Sequence, residues 1–330
     1  MDAENRLTRA AWSAPATRAL MALAAIVVIG AVFNADGAFF HWSVHRDMLR
    51  QVSVYGMLAC GMTVVIVTSG IDLSVSSVLA LSAVLFAWLT MPLGWSAPAA
   101  IATVAAGGAV IGSLSGTLVA HMRVQPFIVT LAMMVCARGA AKAVSGGQKI
   151  TNFVAGADGS SAVMDLPPIF NLIDSRVLGG NLSMVTVVFL ACVLATWLLL
   201  GRFRLGRHLY AVGGNEEAAR LSGVPVGRTV VAAYALSGLF AAIAGICQAA
   251  QETQGDPETG MAYELDAIAM VVIGGTPLSG GRGGIVLTLV GVLTIGYLQK
   301  ILSLNAAPEA MRLMLTGGII IGAVLFQRRR

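Results

Sequence analysis

"QVSVYGMLACGMTVVIVTSGIDLSVSSVLALSAVLFAWLTM", residues 51–91, is an almost unbroken apolar run with one interruption, "SGIDLS" at 69–74. A straight helix crossing a membrane needs about 20 apolar residues. The run is long enough for two such helices, joined by a break only a few residues long. That break holds a glycine, Gly70, and an acid, Asp72. Asp72 reads two ways: as a cap for the helix that follows, or as an ionisable group of a relay.

Further apolar runs lie at 19–34, 98–120, 127–145, 183–200, 229–250, 264–276, 284–303 and 309–326. With the two halves of 51–91 they make ten, and 264–276 is too short for a straight crossing. The expected fold is an all-α polytopic membrane protein of about ten transmembrane helices with short broken helices. Composition agrees: 57% of the 330 residues are hydrophobic, only 11% are charged, and mean hydropathy is +0.82. A soluble domain carries roughly 25% charged residues. The net charge of +5 sits in loops and gives no reason to invoke nucleic acid.

The basic residues set an expected orientation. With ten spans and a cytoplasmic N-terminus, the inside segments are 1–18, 70–73, 121–126, 201–228, 277–283 and 327–330, and they hold 13 of the 21 Lys and Arg. The longest outside loop, 146–182, carries only Lys149 and Arg176. The positive-inside rule accepts this topology. It gives a cytoplasmic N-terminal segment 1–18, a transmembrane domain 19–326 and a cytoplasmic tail 327–330. No small-residue cleavage site follows the first run, so it reads as a retained span.

Two interruptions pair in sequence. "VTSGIDLSVSS" (67–77) and "VIGGTPLSGGR" (272–282) align at an offset of 205, matching Val67 with Val272, Gly70 with Gly275, Leu73 with Leu278 and Ser74 with Ser279. Each stands where one span ends on the inside and the next begins. Such a pair suggests an inverted repeat around a pathway, with Gly70, Asp72, Ser74, Gly275, Thr276 and Ser279 as pathway or hinge candidates. The alternative is a pair of ordinary tight turns.

"GGNEEAARLSGVP" (213–225) is a short polar helix with its own punctuation. Asn215 can cap its start, Glu216 and Glu217 put negative charge in the first turn, and Gly223 and Pro225 end it. Ala218, Ala219 and Leu221 are its small or apolar residues, expected to enter a cleft on a partner in the cytoplasm. Other chemistry is absent. There is no GxxxxGK[ST], HExxH or GxSxG, the four cysteines form no CxxC pair, and His41 and His45 have no further ligands nearby. No metal or cofactor is expected in the chain. Glu264 and Asp266 lie near span ends, and Arg138 and Lys142 are expected to snorkel to the outer surface.

"GMTVVIVTSGIDLSVSSVLAL" (61–81), "FIVTLAMMVCARGAAKAVSGGQKI" (127–150), "GRHLYAVGGNEEAARLSGVPV" (206–226) and "YELDAIAMVVIGGTPLSGGRGGIVLTLVGVL" (263–293) resemble the membrane permeases of bacterial ABC sugar importers of the ribose, xylose and galactose type. Ser76 departs from the glycine usual there. The resemblance implies a non-catalytic permease in the inner membrane, with 216–222 as its coupling helix. It implies a tandem-domain cytoplasmic ATPase, which holds ATP and Mg, and a periplasmic sugar-binding protein. It also implies a second permease copy or paralogue, and a lipid environment. Aromatic content is only 6%, with few Trp or Tyr in the spans, so a high-affinity sugar site is not expected in this chain. An ion-coupled secondary transporter is the runner-up and a membrane enzyme the third reading.

Overall fold

The computed structural model describes residues 15–155, 161–163, 165–308, 310–312, 314–315 and 317–318. The tail 327–330 and most of segment 1–18 therefore lie outside the described residues, as does part of the run 309–326. The helices, in chain order, are α1 (Pro15–Val32), α2 (Trp42–Val67), α3 (Val75–Thr90), α4 (Ala97–Met122), α5 (Pro126–Ser145), α6 (Pro168–Asp174) and α7 (Met184–Arg202). They continue with α8 (Arg204–Gly214), α9 (Glu216–Leu221), α10 (Val226–Glu252), α11 (Tyr263–Gly274) and α12 (Ile285–Leu304). Two small antiparallel hairpins, Phe153–Ala155 with Ser161–Val163 and Arg176–Val177 with Leu182–Ser183, decorate the loop 146–182.

Six described helices, α2, α4, α5, α7, α10 and α12, are long and apolar enough to cross a membrane. The other expected spans fall on the shorter helices α1, α3 and α11 and on the residues after 308. Helix α11 has 12 residues, because the chain before it, 253–262, is not helical. Glu264 and Asp266 stand in the first turn of α11, near its end as expected, and Tyr263 beside them meets Tyr55 midway along α2.

Helix α2 is the centre. From Met57 to Val67 all its side chains are buried, and the helix packs among α10, α12, α7 and α11. A seam of small residues joins α4 to α10. A Cβ on Gly112 would stand 2.0 Å from the Tyr234 carbonyl oxygen, and one on Gly108 would stand 2.5 Å from that of Gly238. Helices in lipid gain little from the hydrophobic effect, and close backbone approach at small residues replaces it. Buried hydroxyls bond across the helices: Thr63 with Thr288 at 2.8 Å, and Ser53 to Thr186 at 3.1 Å.

Parts of the segments 70–73, 121–126, 201–228 and 277–283, which the basic-residue count places on one side, gather at one end of the bundle, the break end. Residues 68–70, 119–126 and 216–226 line one cleft there, and 279–281 touch 67–69 and 213. The loop 146–182 packs at the other end, where Arg50 pairs with Asp174 and Arg176 with Asp47. Arg138 does not snorkel outward, whereas Lys142 is half-exposed. Arg138 donates to the carbonyls of Pro257 (2.6 Å) and Thr259 (2.8 Å), and Lys142 pairs with Glu258. Arg138 thereby supplies donors to two buried, non-helical carbonyls of the segment 253–262.

Candidate functional site

Both interrupted helices end in the same backbone device. In α2, the Ser69 N–H donates to Ile66 O and the Gly70 N–H to Val65 O. In α11, the Gly275 N–H donates to Val272 O and the Thr276 N–H to Val271 O. Each pair is a Schellman cap closed by a left-handed residue, Ser69 at φ 64° and Gly275 at φ 106°. The caps therefore equate Ser69 with Gly275 and Gly70 with Thr276, an offset of 206, one residue out of register with the sequence match. After the caps the two stretches diverge: α3 begins at Val75, α12 only at Ile285.

The two breaks touch. The Ser69 hydroxyl donates to Ser279 O at 2.7 Å and to Gly213 O at 3.1 Å, and the Gly281 N–H donates to Val67 O at 2.9 Å. Gly213 is the wedge between them: a Cβ there would stand 1.8 Å from Val67 O and 2.7 Å from Gly281 N. Helix α8 carries that wedge, and its Tyr210 hydroxyl donates to Gly283 O at 2.9 Å. Burial raises the Tyr210 phenol pKa. Sequence reading left α8 inside a loop. Its signal was available in "RLGRHLYAVGG" (204–214), with Arg204, Arg207 and His208 spaced against Leu205, Leu209 and Val212 at a helical period.

Asp72 is buried and its Oδ1 accepts from the Ser74 N–H (3.0 Å) and hydroxyl (2.6 Å), so it orders the turn into α3. Ser74 stands at the N-cap of α3 with no side-chain cap bond of its own. Gly70 lies against the Tyr234 hydroxyl, which donates to Ile71 O. Thr276 is buried, and its hydroxyl accepts from the Gly284 N–H.

One residue past α8 comes α9, the short polar helix. Asn215 Oδ1 accepts from the Ala218 N–H at 2.9 Å, Glu216 pairs with Arg220 at 2.6 Å, and Gly223 closes the end at φ 80°. One expectation about its faces is corrected. Ala219 is buried against its own chain, so it is not free to enter a partner's cleft; Ala218 and Leu221 point outward, Leu221 with 81% of its surface exposed. Beside α9 lies an open cleft of about 890 Å³, floored by Thr68, Ser69, Gly70 and Tyr234 and rimmed by His121, Arg123, Glu217 and Arg220. Among the described residues there is no cluster of His, Cys, Asp or Glu able to hold a metal ion.

The family model described as "Branched-chain amino acid transport system / permease component" matches residues 46–324. The chain belongs to this permease family. The permease is 39% identical over 311 residues to the ribose import permease protein RbsC of Escherichia coli K12, covering 93% of this chain and 92% of that one. It is 39% identical to RbsC of Bacillus subtilis, covering 86% and 84% of the two chains. To the xylose transport system permease protein XylH of Escherichia coli K12 it is 33% identical, covering 92% and 89%. No solved structure matches it. It is a non-catalytic, multi-pass membrane component of a transport system.

Proposed function

We propose that this permease carries a monosaccharide or related small polyol into the cytoplasm, driven by a separate ABC ATPase and fed by a periplasmic binding protein. Its relatives named for ribose and xylose import support the substrate class. The break end faces the cytoplasm, as the basic residues require. A second copy or a paralogue completes the path, and ATP and Mg belong to the ATPase.

One observation carries the mechanism: Gly213, two residues before the cap of α9, lies against Val67 and Gly281, so a single backbone point touches both breaks. A force on α9 from the closing ATPase passes through Asn215 and Gly214 to that point. The ends of α2 and α11 then move together, and the helices they terminate change which end of the path is open. Exposed Leu221 and Ala218 are the grip.

The test is uptake of D-ribose and D-xylose into vesicles holding the permease, its ATPase and its binding protein. Uptake of one of them should require ATP and survive a proton uncoupler, and the permease alone should not hydrolyse ATP. An ion-coupled carrier is the second reading, favoured by Glu264 and Asp266 standing deep in the bundle; uptake abolished by the uncoupler and indifferent to ATP would establish it instead.

A further inference from the structure

A second groove, of about 280 Å³, lies at the break end between α7 and the start of α12. Trp197, Leu200 and Gly201 form one wall, Gly284 and Val286 belong to the other, and Tyr210 of α8 completes the lining. Trp197, Gly201 and Val286 are exposed, so the groove opens outward. It is the end of a longer track. Leu190, Leu194, Trp197 and Gly201 are all exposed, and their spacing puts them on one face of α7. At about 1.5 Å per residue that face runs about 16 Å along a helix long and apolar enough to cross the membrane.

The mouth of the groove is basic. Helix α7 stops at Arg202, and α8 is amphipathic, with Leu209 and Val212 buried and Arg204 and Arg207 exposed. That is the pattern of a helix lying along a bilayer surface. Exposed Trp197 and Phe203 mark the same level, where aromatic residues gather in membrane proteins. Arg202 follows Gly201, Arg207 stands one turn before Tyr210, and Arg282 precedes Gly283. These three and Arg204 are exposed, and among the described residues none of the four forms an ion pair. The sequence explains why: residues 175–215 and 267–308, which supply both walls, contain no Asp or Glu.

We infer that this groove binds one anionic phospholipid of the leaflet at the break end, with an acyl chain along Leu194, Trp197 and Gly201 and the phosphate among Arg202, Arg207 and Arg282. An apolar slot with a cationic mouth matches the two halves of such a lipid, and guanidinium groups suit phosphate. A zwitterionic headgroup fits less well, because its ammonium meets the same arginines. A second copy of the chain also fits poorly. A two-fold contact joins a patch to itself, which here sets unpaired arginines against their like. A cytoplasmic protein could reach the arginines but not the exposed leucines within the span. The lipid would touch Tyr210, whose hydroxyl donates to Gly283 O, so the leaflet's charge is felt beside the contact that ties α8 to the second break.

The test needs no transport and so stands apart from the sugar reading. The full-length permease in detergent is titrated with dioleoylphosphatidylglycerol or dioleoylphosphatidylcholine, and bound lipid is counted by native mass spectrometry. The wild type should hold one phosphatidylglycerol in preference to phosphatidylcholine. Arg207→Gln combined with Arg282→Gln should weaken that binding by about fivefold per arginine, with phosphatidylcholine unaffected. Gly201→Leu sends a side chain into the groove from a position where a Cβ meets nothing within 4 Å. It should displace the lipid with every arginine in place and the melting temperature unchanged. Equal binding of the two lipids by the wild type overturns the inference, as does wild-type preference in the double arginine variant. Wild-type preference in Gly201→Leu also overturns it, reducing the arginines to diffuse surface charge. A lipid-free wild-type dimer that dissociates in Gly201→Leu gives the groove to a second copy instead.

Discussion

The hydroxyl of Ser69 donates to the carbonyl of Ser279 at 2.7 Å, bonding the end of α2 to a loop 210 residues later in the chain. The same hydroxyl reaches Gly213 O. One side chain thus joins both breaks and the segment that leads to α9. Ser69→Ala removes the one hydroxyl proton these two carbonyls share, at about 1 kcal/mol, without disturbing the fold elsewhere. Sugar moved per ATP hydrolysed should fall several-fold, with complex assembly intact. An unchanged ratio would show that the bond is incidental.

Gly213 and Gly214 are neighbours with opposite surroundings. A Cβ on Gly213 collides with Val67 O and Gly281 N, all backbone, whereas one on Gly214 meets nothing within 4 Å. Overpacking typically costs about 1–3 kcal/mol. Gly213→Ala should lower the melting temperature of the detergent-solubilised permease and abolish uptake. Gly214→Ala should do neither. Equal behaviour of the two variants would remove the wedge from the mechanism.

Leu221 and Ala219 divide docking from folding. Leu221→Asp changes an exposed side chain and should leave permease stability within about 0.5 kcal/mol, while the ATPase no longer co-purifies. Ala219→Arg puts a long charged chain into a buried position and should destabilise the permease itself. Retention of the ATPase by Leu221→Asp would move the grip elsewhere.

Orientation is checked with cysteines at exposed Gln148 and Gly214, in a background where exposed Cys136 is serine. A membrane-impermeant thiol reagent added outside intact cells should label position 148 and spare 214. The reverse pattern would invert the proposed topology and place α9 away from any cytoplasmic ATPase.

The parts of this fold that could be read from sequence are those written locally. Gly70 and Asp72 interrupt an apolar run, and a break is where they say it is. Asn215 and Gly223 are capping residues, and α9 lies between them. The register of the two breaks was one residue off because side-chain identity paired Gly70 with Gly275, whereas the left-handed residues that close the helices are Ser69 and Gly275. The buried face of α9 was illegible for a different reason: six residues give too few turns for periodicity to define a side. The partners of Arg138 lie about 120 residues away, and composition alone made it a surface cation. The depth of Glu264 depends on the chain 253–262 entering the bundle, which hydropathy does not encode.

The glycine seam between α4 and α10 has a consequence for how the chain is made. Its two sides, Gly108 to Gly116 and Val231 to Ala242, are separated by more than a hundred residues of later-synthesised chain. Until α10 enters the bilayer, α4 presents bare backbone to lipid along three successive turns, and the central α2 lacks one of its walls. The first five helices are therefore a waiting assembly rather than a finished half. A ribosome stalled before residue 226 should leave them accessible to membrane proteases or quality-control factors, and release of α10 should close them in a single late step.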